Sequence, residues 1–261
     1  HRALDGVDFV VHAAATKIVP TAEYNPFECV KTNVLGGMNV IDACINQKVK
    51  KVVALSTDKA CSPANLYGAT KLTSDKLFVN GNQYTGGKTK FSVVRYGNVL
   101  GSRGSVIPFF MEKRASGVLP ITDERMTRFF ITLQEAVETV LFAFTDMEGS
   151  EIYVKKIPSI KIVDLARAVA PEAHFDIIGV RPGEKLHEQM LSFEDSWGTY
   201  EYDSYFKLLP LINDLHMDQA RIKNGRLVEA GFTYSSETNS SWLRGAELQK
   251  CLQEYSLLTV T

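Results

Sequence analysis

Residues 51–71 read Lys51-Val-Val-Ala-Leu-Ser-Thr-Asp-Lys-Ala-Cys-Ser-Pro-Ala-Asn-Leu-Tyr-Gly-Ala-Thr-Lys71. Lys51 to Ser56 is a short, continuous apolar run, the pattern of a strand covered on both faces. Polar residues follow at once, in Ser56-Thr57-Asp58-Lys59, and a short loop holding Pro63 leads into a helical pattern from Leu66 to Asn80. Two more runs resemble the first strand: Asp8 to Ala13 (Asp-Phe-Val-Val-His-Ala) and Phe91 to Tyr96 (Phe-Ser-Val-Val-Arg-Tyr). Between them, Asn33 to Gln47 reads as a helix whose apolar side is Val34, Met38, Ile41, Ala43 and Ile45. Buried strands separated by helices predict an α/β fold, a doubly wound parallel sheet with helices on both faces. In such a sheet ligands bind at the carboxyl ends of the strands. Ala13-Ala14-Ala15, Ser56 to Lys59 and Gly97-Asn98 fall at those ends.

Past residue 100 the alternation changes. Gly101 to Ser105 is a loop, Val106 to Ala115 a helix, and Leu119 to Thr122 and Phe129 to Ile131 short strands. Thr132-Leu-Gln-Glu135 is a capping box opening a helix to about Asp146. Ser159 is read as the N-cap of a helix from Ile160 to Ala170, Arg181-Pro-Gly-Glu-Lys as a turn, and Asn239 to Tyr255 as a last helix. The expected division is residues 1–105 as a sheet domain carrying the reactive residues. Residues 106–261 would form mainly a smaller α+β lobe and tail, with some elements returning to the sheet.

The chain has 261 residues, 45% hydrophobic and 23% charged, with net charge −1. That balance gives no electrostatic reason for a nucleic acid or an anionic membrane as partner, so phosphate binding must be local. Cys29, Cys44, Cys61 and Cys251 form no C-x-x-C pair and fit neither a zinc site nor a disulfide framework; no metal cluster is expected. Thiols of this kind suit a reducing cytoplasm.

Tyr67 and Lys71, four residues apart, share a helix face. A lysine cation nearby favours the phenolate, which would let Tyr67 act as a base near neutral pH, and the lysine can also hold a cofactor ribose. Alone, this spacing more often marks an ordinary solvated face. Here it follows a strand end at which Thr57 can hydrogen-bond the same hydroxyl as Tyr67. His12, at the end of a buried strand, reads as a core residue.

A hydroxyl, a tyrosine and a lysine at a strand end resemble the catalytic set of short-chain dehydrogenase/reductases. Ala13 and Ala14 resemble that class's cofactor-facing turn, where small residues let a dinucleotide approach the backbone. The resemblance narrows over His12-Ala-Ala-Ala-Thr-Lys17, Leu55-Ser-Thr-Asp-Lys-Ala60, Asn65-Leu-Tyr-Gly-Ala-Thr-Lys71, Val94 to Gly104, Met126-Thr-Arg-Phe129 and Arg181 to Glu188. These motifs are similar to those of the inverting UDP-N-acetylglucosamine 4,6-dehydratases of the polysaccharide biosynthesis family. The similarity runs to at least residue 190 and returns around Tyr234 to Leu243.

The resemblance implies a Rossmann-type fold, NADP as cofactor (bound through Ala13, Ala14, Tyr67 and Lys71) and UDP-N-acetylglucosamine as substrate. Tyr67 would take the 4-hydroxyl proton, Lys59 the C5 proton, and Asp58 would protonate the departing 6-hydroxyl. Lys17, Asn98, Arg128 and Arg181 become candidates for holding the substrate, the arginines at its diphosphate. Glu184 becomes a candidate acceptor for the uridine ribose. Relatives form symmetric assemblies, which implies a homo-oligomer. The same resemblance leaves open a 4-epimerase or a dehydratase/5-epimerase of capsule synthesis. The Asp58-Lys59 pair weighs against the former, because epimerases of the class lack it. A non-catalytic sugar-nucleotide-binding fragment is the reading from another class.

One departure stands out. No glycine-rich dinucleotide fingerprint precedes the Asp8 strand. By resemblance that fingerprint would lie upstream of His1, and the chain is expected to be a fragment that binds dinucleotide poorly by itself.

Overall fold

The structure, a computed structural model, describes residues 1–259; the last two residues of the expected 106–261 lobe lie outside the described residues. Two compact units emerge. One gathers His1–Tyr96, Val137–Lys156 and Gln189–Thr233; the other contains Gly97–Ala136, Ile157–Glu188 and the chain from Tyr234 onward.

The first unit is built on a seven-stranded sheet. Strands β1 (Phe9–His12), β2 (Lys51–Leu55) and β3 (Lys90–Arg95) run parallel, with Val10 opposite Val52 and Val52 opposite Phe91. The strand Ile152–Lys155 continues the parallel run beside β3. Beyond it, Tyr205–Leu208, Thr199–Glu201 and Arg226–Leu227 add antiparallel strands. The expected α/β, Rossmann-type sheet is therefore present. Val52, Val53, Phe91, Val93 and Val94 are wholly buried, which is why β2 and β3 read as unbroken apolar runs. β1 is different: Phe9 and Val11 are exposed while His12 is buried.

Two helices flank the strand β2 and the loop after it. Asn65 accepts a hydrogen bond from Gly68 N at 2.8 Å and caps the helix Leu66–Thr85, which ends where Gly86 turns left-handed at φ 58°. It runs beyond the expected Asn80, because nothing before Gly86 stops it. The region read as one helix from Asn33 is a π-helical turn, Lys31–Leu35, followed by the α-helix Gly36–Asn46. Its buried face is Gly37, Ile41, Ala43 and Cys44; Met38, assigned to the apolar side, is 43% exposed. The π turn shifts the helical phase, so the regular spacing assumed from Val34 does not carry through.

The second unit has its own core of Ile107, Phe110, Leu119, Ile121, Phe130 and Leu165. The expected capping box is formed: Glu135 Oε2 accepts from Thr132 N at 3.0 Å, and Thr132 Oγ1 accepts from Glu135 N at 3.2 Å. Two expectations need correction. Ser159 does not cap a helix; Ser159–Lys161 is a strand paired antiparallel with Thr127–Ile131, and the helix begins at Ile162. Sheet pairing takes the backbone groups that a cap would have used. The last helix starts at Gly245 rather than Asn239, since Asn239 is occupied with Ile157 O and Ser159 Oγ. Among the described residues no helix is long and apolar enough to cross a membrane, and no cluster of His, Cys, Asp and Glu could hold a metal ion.

Candidate active site

The site begins where β2 ends. Ser56 N donates to Val94 O at 2.7 Å and Asp58 N to Tyr96 O at 3.1 Å, extending the β2–β3 ladder one step past the strand. Thr57 keeps extended dihedrals and caps a single 3₁₀ turn, Asp58–Ala60. This turn folds back onto the helix Leu66–Thr85, so the strand end and Tyr67 meet despite the intervening loop. Gly68 makes the approach possible: a Cβ there would lie 2.2 Å from the Lys59 carbonyl oxygen.

Four predicted residues converge. Thr57 Oγ1 donates to Asp58 Oδ1 at 2.9 Å, and Lys59 Nζ donates to the same oxygen at 3.0 Å. The Thr57 hydroxyl also holds the Tyr67 phenol's pKa down. Asp58 is fully buried, Thr57 and Tyr67 are 8% exposed, and the Lys59 side chain is 23% exposed. The cluster thus offers one half-open ammonium backed by buried oxygen acids.

The electrostatics correct one expectation. Burial pushes the Tyr67 phenol up to about 12; Lys59 and the Thr57 hydroxyl hold it down, while Asp58 and Asp75 raise it further. The cation acting on Tyr67 is Lys59, and the phenol is protonated at neutral pH. Lys71 Nζ instead donates to Leu55 O at 2.7 Å. Its own pKa is lowered by burial, against a raising influence from Asp75. Among the described residues the Lys71 ammonium bonds only that carbonyl, leaving two N–H donors.

Beneath the cluster lies a buried network that the sequence reading missed. Ser56 Oγ donates to Asp75 Oδ2 at 2.7 Å, and Arg95 Nη2 lies 3.2 Å from the same oxygen. Arg95 Nη1 donates to Met190 O at 2.8 Å. The signal was available: Tyr67, Lys71 and Asp75 recur every four residues, one helix face in succession. Asn33, in the π turn, is a second omission. Its side chain accepts from Thr16 N at 2.8 Å and donates to Thr16 O at 3.0 Å and to Thr70 Oγ1 at 3.0 Å. It fixes the loop on which Ala13, Ala14, Ala15 and Lys17 lie exposed. The Lys17 ammonium is held below its ordinary pKa, by burial first and then by Lys59, so two cations share this neighbourhood.

The remaining candidates belong to the second unit. Asn98 lies on a two-residue strand beside Phe130, half-buried, and its amide has no partner among the described residues. Arg128 is buried and turned inward. It donates to Thr127 O at 2.7 Å, Leu186 O at 3.1 Å and Lys185 O at 2.9 Å, with Glu184 and Glu188 3.6 and 3.8 Å away. The expected diphosphate ligand is thus, in this conformation, a pin for the loop 184–188. Arg181 is exposed and its guanidinium has no partner among the described residues. Glu184 Oε2 is a buried acceptor without a hydrogen bond.

Comparison with known proteins adds a second line of observation. The family model described as polysaccharide biosynthesis protein matches residues 1–210. A UDP-N-acetylglucosamine 4,6-dehydratase (inverting) of Campylobacter jejuni is 56% identical over 94% of this chain and 76% of that protein. A UDP-glucose 4-epimerase of Rickettsia akari is 40% identical over 96% of this chain and 75% of that one. Among solved structures, Pen from Bacillus thuringiensis superposes with TM-score 0.88 at 36% identity, covering 98% of this chain and 78% of that one.

Proposed function

The chain belongs to the polysaccharide biosynthesis protein family, and from that membership and the site we propose that it is an inverting UDP-N-acetylglucosamine 4,6-dehydratase. The observation that carries the reading is the hydrogen-bonded set Thr57, Asp58 and Lys59 with Tyr67, whose phenol Lys59 and Thr57 hold down, beside it. Oxidation at C4 alone needs a base such as Tyr67. Elimination across C5 and C6 also needs a second base and an acid, which Lys59 and Asp58 supply. A 4-epimerase has no use for that pair.

The residues fit a nicotinamide dinucleotide. Ala13 and Ala14 are small and exposed at the end of β1, and Lys71 has two N–H donors left for ribose hydroxyls beside Tyr67. A nicotinamide held there would supply an acceptor for the C4 hydride and its return at C6. NADP is the form we propose, on the family resemblance. Tyr67, once ionised, takes the proton of the C4 hydroxyl while Thr57 hydrogen-bonds the same oxygen. Transfer of a Lys59 ammonium proton to Asp58 Oδ1, its partner at 3.0 Å, leaves a neutral amine and a carboxylic acid; the C4 ketone acidifies C5, whose proton then passes to the neutral Lys59 Nζ. Asp58 protonates the C6 oxygen, which leaves as water. A proton from solvent then returns to the opposite face of C5, and the configuration inverts.

In the first unit the exposed Lys17 is proposed for the sugar or a phosphate; in the second, Arg181 is proposed for the diphosphate, Asn98 for the nucleotide sugar and Glu184 as an acceptor for the uridine ribose. Arg128 supports that set by holding the 184–188 loop. The assembly is proposed to be a homo-oligomer working in the cytoplasm.

The test is incubation of the protein with UDP-N-acetylglucosamine and a nicotinamide dinucleotide in D₂O, with the product read by NMR and mass spectrometry. A 4-keto-6-deoxy sugar of L-arabino configuration carrying deuterium at C5 is expected. Recovery of only the 4-epimer would overturn the reading in favour of an epimerase. Binding without turnover would favour a non-catalytic role.

A further inference from the structure

Tyr67 is the second residue of the helix Leu66–Thr85. That place is prone to fraying, because the first amides of a helix have no partner within it. A base that must meet the C4 hydroxyl in a fixed geometry cannot share that motion, so the first turn has to be tied from outside. Asn65 supplies one tie, accepting from Gly68 N at 2.8 Å. The other comes from a different helix: Glu23 Oε1 accepts from Leu66 N at 2.7 Å, across 43 residues of sequence.

Glu23 lies near the end of the short helix Val19–Tyr24, just past Lys17. Packing already joins this helix to the tyrosine. Ala22 and Cys29 are wholly buried and cluster with Tyr67, and Val19 and Leu66 pack against them. Glu23 is exposed, so the core places no demand on its side chain. What the carboxylate adds is an acceptor at the amide next to Tyr67 and a negative charge at the positive end of a 20-residue helix. The turn it ties is also the one that rests Gly68 on the Lys59 carbonyl.

We propose that Glu23 is a positioning residue for Tyr67, capping the first turn of its helix from a neighbouring helix and so holding the phenol beside Thr57 and Lys59. This rests on Tyr67 being the C4 base, an assignment that the dehydratase reading shares with a 4-epimerase. In this role Glu23 meets no substrate atom and moves no proton. It sets how often the turn Leu66–Gly68 is closed. Its loss therefore falls on the rate of C4 oxidation at saturation and leaves binding alone. The oxygen acceptor matters more than the charge, because it is the hydrogen bond that fixes the turn.

The experiment compares wild type with Glu23→Ala and Glu23→Gln. Amide hydrogen exchange is read first and requires no turnover. In Glu23→Ala the amides of residues 66–69 should exchange faster, while the rest of the helix to Thr85 keeps its protection. With a nicotinamide dinucleotide and saturating UDP-N-acetylglucosamine, reduced-nicotinamide absorbance in single turnover should then rise roughly tenfold more slowly, within the ~100-fold that a misplacement of about 1 Å can cause. The Kd for the sugar nucleotide should stay at the wild-type value. Glu23→Gln keeps an oxygen acceptor and should restore both protection and rate. Faster exchange throughout the unit, or a rate loss no larger than the unfolded fraction, would leave Glu23 a stability residue and overturn the proposal. An unchanged rate in Glu23→Ala, a loss that Glu23→Gln does not restore, or a weaker Kd at unchanged rate would overturn it too. If Glu23→Ala does not fold, Glu23→Met keeps the length without the oxygen and carries the same comparison. A wild type that reduces the nicotinamide but forms no 4-keto-6-deoxy product would sink the dehydratase reading and leave the Glu23 comparison standing. A wild type that reduces none would sink both.

Discussion

The carbonyl oxygen of Lys59 occupies the space beside Gly68 where any other residue would place its Cβ, at 2.2 Å. The same Cβ would sit 3.0 Å from Pro63 Cβ. Both obstacles are parts of the turn that presents Asp58 and Lys59, and one of them is backbone. Gly68→Ala should gain up to about 1 kcal/mol of helix propensity. It should lose more, since overpacking of this kind costs about 1–3 kcal/mol. The larger effect is expected on turnover, because the turn moves relative to Tyr67. Urea unfolding and dehydratase assays on the same sample check this; unchanged turnover would show that the close approach is incidental.

The Arg95–Asp75 pair predicts a different balance. Both side chains are 3% exposed or less, at 3.2 Å, with Ser56 on the same carboxylate. Removing one partner leaves a buried, uncompensated charge, a loss of about 3–5 kcal/mol. Arg95→Met and Asp75→Asn should each be strongly destabilising, and the double variant much less so than additivity requires. Denaturation midpoints across the four proteins give the coupling. Additive losses would mean that the two groups do not depend on each other.

Much of this site was legible because its parts are local in sequence. β2 and β3 announce themselves through residues buried on both faces, and the reactive residues fall within the 51–71 stretch. The π turn at Lys31–Leu35 carries no such signature, and it displaced Met38 from the face the spacing assigned to it. Ser159 looks like an N-cap because a polar residue precedes an apolar run, yet its strand partners lie about thirty residues away in the chain. Arg128 resembles a phosphate ligand until its carbonyl partners, 57 and 58 residues on, are known. Tyr205–Leu208 joins the sheet through a long-range pairing with Ile152–Lys155, and Thr199–Glu201 is placed by pairing onto it, so neither strand stands out in the sequence. Local chemistry can be read from spacing; the use of a donor by a distant backbone cannot.

His12 gives the acid side of the stability curve. It stacks on Phe78 at 5.2 Å, and burial, then Lys71, lower its pKa below 6.5. The folded protein therefore keeps the ring neutral where the unfolded chain would bind a proton. Stability from this group is fully present above pH 6.5 and falls as pH drops below it toward the folded-state pKa. His12→Phe should flatten that part of the curve relative to wild type. Thermal melts between neutral and mildly acidic pH make the comparison; parallel curves for the two proteins would remove His12 as a contributor.

Lys59 is assigned two tasks that one substitution can separate. As the cation that lowers the Tyr67 phenol most, it assists oxidation at C4; as the C5 base, it is indispensable to elimination. In Lys59→Met the hydrogen bond to Asp58 Oδ1 is also lost, but Thr57 still donates to that oxygen. The variant should bind the nucleotide sugar and still oxidise C4, with the alkaline rise of that step displaced to higher pH. It should form no 4-keto-6-deoxy product and incorporate no deuterium at C5 of recovered substrate. Reduced-nicotinamide absorbance in single turnover reports the oxidation, and NMR in D₂O reports the exchange. Deuterium at C5 in Lys59→Met would place the base elsewhere, with Lys17 the first alternative because its ammonium shares the same neighbourhood. An unshifted pH dependence with exchange abolished would keep Lys59 as the C5 base and remove its influence on Tyr67.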